Sequence, residues 1–166
     1  MNLPNRKSTR LKGYDYSSEG AYFVTVCTHN RNNIFSDTIV GAIHESPEML
    51  LNSNGLIVEK YINKLNERFD LKVDKYVIMP NHIHLILINE RAIRESPLQT
   101  RSLISKAIGY LKMNVSRDIH IKGNEDTVWQ RSFHDHIIRG RNDYLEIWNY
   151  IDTNPQKWVQ DCYYKK

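Results

Sequence analysis

The run LKVDKYVIMPNHIHLILI, residues 71–88, decides the fold. Two stretches rich in Val, Ile, Leu and Tyr flank Pro80-Asn81, which predicts a tight antiparallel hairpin. Pro80 has no N–H to give to a ladder and therefore closes the first strand. Side chains alternate faces along a strand, so His82 and His84 point one way, about 6.6 Å apart along the backbone, while Ile83, Leu85 and Leu87 point the other. One face reads as packing, the other as chemistry.

Working outward from the hairpin, residues 52–69 carry a helical stripe of Leu56, Ile57, Tyr61, Ile62, Leu65 and Phe69, with Ser53 or Asn54 as candidate cap. Residues 21–28, AYFVTVCT, are β-branched and aromatic after a Ser-Ser-Glu-Gly turn and predict a first strand. On the far side, residues 97–115 repeat Leu98, Leu103, Ile104, Ala107, Ile108 and Leu111 at helical spacing, with Pro97 suited to the first turn. Basic Arg101, Lys106, Lys112 and Arg117 decorate this helix. The segment WQRSFHDHIIR, residues 129–139, predicts a strand, and residues 141–158 a last helix disturbed at Pro155. Residues 30–50 read as a connection or an inserted hairpin. The order strand, helix, strand, strand, helix, strand, helix implies an α+β fold: a ferredoxin-like (RRM-like) antiparallel sheet with helices on one face, plus a C-terminal helix.

With 166 residues, 40% hydrophobic and 25% charged, the chain is expected to form one domain, 1–166. Lys and Arg outnumber Asp and Glu 23 to 19, a mild excess that permits a polyanionic partner without requiring one. The segment 1–20 concentrates it, because Arg6, Lys7, Arg10 and Lys12 precede the first acid, Asp15. Cys27 and Cys162 stand far apart, which indicates neither a disulfide framework nor a cysteine zinc site. No apolar run approaches the ~18 residues that span a bilayer, and no secretory leader is evident; a cytoplasmic protein is expected.

An isolated H-x-H pair on a sheet face reads either as polar surface or as a metal platform. The turn at Pro80-Asn81 puts His82 and His84 at the mouth of their strand, where sites usually open to solvent, and this favours the platform. A second pair, His134 and His136, has Asp135 between its members, so the opposite face is not cleanly apolar and the pair ranks lower; His136 could still approach a substrate. On the last helix Tyr150 and Asn154 stand four apart and share a face, placing a phenol beside an amide oxygen. Two imidazoles with an oxygen ligand suit a divalent Lewis acid. Tyrosine, with a usual pKa of ~10, becomes a useful nucleophile toward a phosphodiester beside such an ion.

Three blocks then fix a resemblance. RLKGYDYSSEGAYFVTVCTHNR (10–31), YVIMPNHIHLIL (76–87) and VWQRSFHDHIIR (128–139) followed by YIDTNP (150–155) resemble, in order and separation, the REP-associated tyrosine transposases, a branch of the single-tyrosine HUH (IS200-like) transposases. The resemblance implies metal-dependent cleavage and joining of single-stranded or hairpin DNA, without ATP, through a 5′-phosphotyrosine. It assigns the nucleophile to Tyr150 and ligation of Mg or Mn to His82 and His84, with Asn154 as third ligand; a helix-ending role for Asn154 before Pro155 stays open. A basic groove with aromatic platforms is expected from Arg10, Lys12, Tyr14 and Tyr16 and from Trp129, Gln130 and Arg131, with packing as the other reading of Trp129. The expected setting is cytoplasmic and nucleoid-associated, with no membrane partner, as monomer or homodimer. Two other classes compete: a hairpin-binding module without catalysis, and a zinc-supported structural protein, which would need a closed four-ligand set.

Overall fold

The computed structural model describes residues 19–39, 49–90, 102–123 and 126–164. Its elements are β1 (Gly20–Cys27), β2 (Ser36–Ile39), β3 (Met49–Leu51), α1 (Ser53–Arg68), β4 (Lys72–Met79), β5 (His82–Asn89), α2 (Leu103–Ile121), β6 (His134–Ile138) and α3 (Arg141–Thr153). A 3-10 segment, Pro155–Gln160, follows α3. The main sheet runs β4-β5-β1-β6 with every pair antiparallel, which is the ferredoxin-like order expected. Within the described part of residues 30–51, β2 pairs antiparallel with β3, in keeping with an inserted hairpin.

Register separates the two sheet faces. Val26, Val24 and Tyr22 lie opposite Ile83, Leu85 and Leu87. These six are fully buried with Ile62 and Leu65 of α1 and Ile104, Ile108 and Leu111 of α2. Removing so much branched apolar surface from water is the main term holding both helices to the sheet. The opposite face carries Cys27 beside His82 and Thr25 beside His84. It is covered in turn by α3 and the segment after it, so β5 is buried on both sides.

Two boundaries differ from expectation. Asn52, not Ser53 or Asn54, caps α1: its side-chain oxygen accepts from the Asn54 and Gly55 N–H groups at 2.9 and 3.1 Å. Its backbone is extended (φ −80°, ψ −176°), as a capping residue requires, while Ser53 is already helical. Gly55 has a packing reason, since a Cβ there would lie 2.3 Å from the Phe35 carbonyl oxygen. The second boundary is that of α2, which starts after its Ser102 cap and runs past Val115, because Ile119 extends the buried stripe beyond the polar Ser116-Arg117-Asp118. Pro97, Leu98 and Arg101 lie outside the described residues. Asp118 accepts from the Tyr61 hydroxyl at 2.7 Å and from Lys60 at 3.0 Å, tying α2 to α1. No described helix is long and apolar enough to cross a membrane.

Candidate metal and tyrosine site

Asn81, fully buried in the hairpin turn, is where the site begins. Its amide nitrogen donates to two backbone carbonyls, Arg31 at 3.2 Å and Tyr163 at 2.8 Å. Carbonyls only accept, so the amide orientation is determined and Oδ1 faces His82 Nδ1 at 2.8 Å. His82 must carry its proton on Nδ1 and leave Nε2 bare. Thr25 Oγ1 meets His84 Nδ1 at 2.8 Å, and that hydroxyl can serve either tautomer. Nε2 of His82 and Nε2 of His84 then converge to 3.0 Å. Two donors at right angles on bonds of about 2.1 Å would stand about 3.0 Å apart, so the spacing fits a shared divalent ion.

The histidines are 0% and 1% exposed, not open to solvent as their place at the strand mouth predicts. The rings of Tyr163 and Trp158 lie 4.6 and 5.9 Å from that of His82. Burial pushes His82 down to about 3 and His84 well below its ordinary value, the second effect at His84 being the neighbouring His82 charge. Both are therefore neutral at pH 7, the state in which imidazole ligates.

Tyr150 of α3 reaches the same spot, its hydroxyl 3.3 Å from His84 Nε2. Phe23 meets its ring edge-on at 6.0 Å. The hydroxyl also lies 3.2 Å from Asp161 Oδ2. Burial first, then the Asp161 charge, push the phenol above its usual pKa, so it stays protonated at pH 7. Asn154 donates to Asp161 Oδ2 at 2.8 Å, and its own Oδ1 is buried with no partner. The side chain makes no capping bond for the turn at Pro155. An orphaned buried acceptor costs stability unless something fills it, and a cation does so. Convergent imidazole nitrogens and an orphaned amide oxygen at the end of α3 thus suit a divalent ion.

Asp161 had no motif to mark it in the sequence. It lies in irregular chain after α3, and only the fold brings its carboxylate within 4.8 Å of the ligand nitrogens of both histidines. A cleft of about 270 Å³ opens beside it, lined by Tyr150, Asn154, Lys157, Gln160, Asp161 and Cys162.

The other candidate residues fall elsewhere. Arg10, Lys12, Tyr14 and Tyr16 lie outside the described residues. Trp129 is a core residue, 5% exposed and tilted against Phe35 at 5.1 Å, so it offers no open stacking face; its other reading, packing, is what the structure shows. Arg131 is exposed and Gln130 partly so, on a loop whose carbonyls at Gln130, Arg131 and Ser132 all accept from Lys112 Nζ. Lys112 is a strut, not a surface decoration. His136 shares the sheet face of His84, one strand beyond β1, and pairs with Asp143 at 3.0 Å.

The sequence profile described as "Transposase IS200 like" matches residues 16–154. The chain belongs to this family of IS200-like transposases, enzymes that cleave and rejoin DNA strands. An uncharacterised protein of Haemophilus influenzae is 33% identical to this transposase over 98% of the chain and 94% of its own length. Another from that organism, provisionally named a REP-associated tyrosine transposase, is 24% identical over 86% of the chain and 74% of its own length. The solved structure of a REP-associated tyrosine transposase bound to a REP hairpin superposes with a TM-score of 0.58 at 22% identity, covering 95% of the chain and 74% of that protein. This likeness shows that the transposase shares that fold.

Proposed function

We propose that the chain is a metal-dependent single-stranded DNA endonuclease and strand transferase acting on hairpin-forming repeats. One observation carries the reading: Tyr150 Oη stands 3.3 Å from His84 Nε2, which is itself 3.0 Å from His82 Nε2. A nucleophile and a pair of ligand nitrogens therefore meet on one sheet face. His82, His84 and the Asn154 amide oxygen would hold Mg or Mn. Such an ion, when bound, polarises the scissile phosphate and offsets its developing charge.

Tyr150 Oη attacks phosphorus and the bond to the 3′ oxygen breaks. The leaving 3′ oxygen takes up a proton equivalent to the one the phenol loses. The products are a 5′-phosphotyrosine and a free 3′-hydroxyl, and attack by another 3′-hydroxyl reverses the step and joins strands without ATP. A REP hairpin as ligand of the solved neighbour, and the name of the Haemophilus relative, support hairpin DNA as the substrate class. Arg131, His136 and the cleft-lining Lys157 are the residues proposed to meet phosphates, with Gln130 as a hydrogen-bonding partner, and Arg10, Lys12, Tyr14 and Tyr16, outside the described residues, are proposed to add charge and aromatic faces. Contacts between Tyr150 and its own chain's histidines support a site completed within a monomer, formed by a single domain, 1–166, working in the cytoplasm at the nucleoid.

The test is to incubate the protein with labelled hairpin DNA from repeats flanking its gene, with and without Mn, and look for a denaturation-resistant adduct. A metal-dependent adduct mapping to Tyr150 is expected. Tight binding with no adduct for any hairpin or metal would favour a binding module.

A further inference from the structure

We infer that Asp161 supplies a carboxylate oxygen to the same ion as His82 and His84, which makes the segment after α3 part of the metal site. This inference rests on the metal reading above. Candidate ligand atoms of the three residues all lie within 4.8 Å of one another, although 77 positions (161 − 84) separate Asp161 from His84 in sequence.

The placement of Asp161 is built from several sides. Arg31 Nη1 donates to the Cys162 carbonyl at 3.1 Å and its guanidinium lies 5.0 Å from the Tyr163 ring centre. Asn81, which orients His82, also holds the Tyr163 carbonyl at 2.8 Å. One buried amide thereby sets an imidazole and anchors the carboxylate's neighbour two residues on. Tyr163 N–H donates to Asp161 Oδ1 at 2.6 Å, and Asn154 and Tyr150 donate to Oδ2 at 2.8 and 3.2 Å. A carboxylate accepts about four such interactions. The three counted here leave one site free, on a carboxylate with an oxygen within 4.8 Å of both histidines' ligand nitrogens.

Charge points the same way. His82, His84 and Asn154 are neutral donors, so without Asp161 the ligand set would carry no charge against a divalent cation. A carboxylate oxygen supplies one negative charge and a hard donor of the kind Mn and Mg favour, and it leaves positions for a phosphate oxygen.

The test measures Mn binding to the full chain without DNA, by loss of the free-ion electron paramagnetic resonance signal and by calorimetry. Asp161→Ala is expected to weaken Mn at least about tenfold. Asp161→Asn, which keeps a hydrogen-bond acceptor but no charge, should stay weak, and Asp161→Glu should recover part of the affinity. His84→Ala should lose binding. Melting in chelator confirms that each variant is folded, and the Asn and Ala variants serve as backups to each other. Wild-type affinity within twofold in both of these, while His84→Ala loses the ion, overturns the role of Asp161 and leaves the metal reading standing. A wild-type protein that binds no Mn overturns both.

Discussion

Asn81 satisfies three partners with one amide: two carbonyls on its nitrogen and an imidazole on its oxygen. Outer-shell partners of this kind fix the tautomer and aim of a ligand ring, and their loss usually costs about 10–100-fold in ion affinity. Asn81→Ala should therefore weaken Mn binding in that range, read by calorimetry on the folded variant; unchanged affinity would show that His82 needs no orienter. Tyr150→Phe removes only the hydroxyl from a ring that keeps its contact with Phe23. We expect no covalent adduct on denaturing gels and hairpin affinity within about twofold of wild type, since one rim oxygen adds little to binding. A variant that still forms the adduct would move the nucleophile elsewhere.

At the level of elements, the placement of α3 is what delivers Tyr150. Tyr144, Trp148 and Asp152 recur every four residues and form one stripe. Tyr144 donates to Asp74, Lys75 pairs with Asp152, and Lys75 Nζ lies 3.4 Å from the Trp148 ring centre, so β4 grips the helix along its length. Lys75→Ala removes two of these ties at once. Adduct formation should slow by about tenfold or more, because a small misplacement of a nucleophile costs that much, while Mn affinity stays within about twofold. A parallel fall in both would mean that the histidines also depend on the helix.

Elements also show what a sequence reveals. The hairpin of β4 and β5 was legible because alternation, β-branched residues and a Pro-Asn turn agree over residues 71–88. For α2 the described helix begins at Leu103, after a Ser102 cap whose side chain accepts from Ser105 N–H at 3.3 Å, and Pro97, the first-turn proline that the spacing suggests, lies outside the described residues. Asp161 was not legible, since it belongs to no periodic stretch and its role depends on contacts with Arg31 and Asn81 far earlier in the chain. Trp129 was ambiguous for a related reason: a buried ring and a stacking platform look the same in one dimension, and only the neighbouring Phe35 decides.

For the molecule as a whole, two buried neutral histidines link stability to pH. Their folded values lie far below the ordinary 6.5, at about 3 for His82 and lower than ordinary for His84. The unfolded chain therefore binds more protons between those limits, and stability falls as pH drops from about 6.5 toward 3. His82 contributes up to about 1.4 kcal/mol per pH unit in that window, and His84 acts in the same direction. In metal-free protein, urea midpoints should decline from pH 7 to pH 4, and the His82→Gln, His84→Gln double variant should flatten the slope; equal slopes would contradict the burial argument. Mn at a hundred times its dissociation constant adds about 2.7 kcal/mol of stability, which should raise the melting temperature by about 5–10 °C at pH 7.5.

The contact between Arg31 and the Cys162 carbonyl spans 131 positions. A chain emerging from the ribosome displays both histidines early, yet residues 85–163 are still to come, about 4–16 s of synthesis at ~5–20 residues per second. Until then the imidazoles lack Tyr150 beside them and Tyr163 above them. The surroundings of the two imidazoles are therefore complete only once residues 150–163 have been made and folded back onto the hairpin.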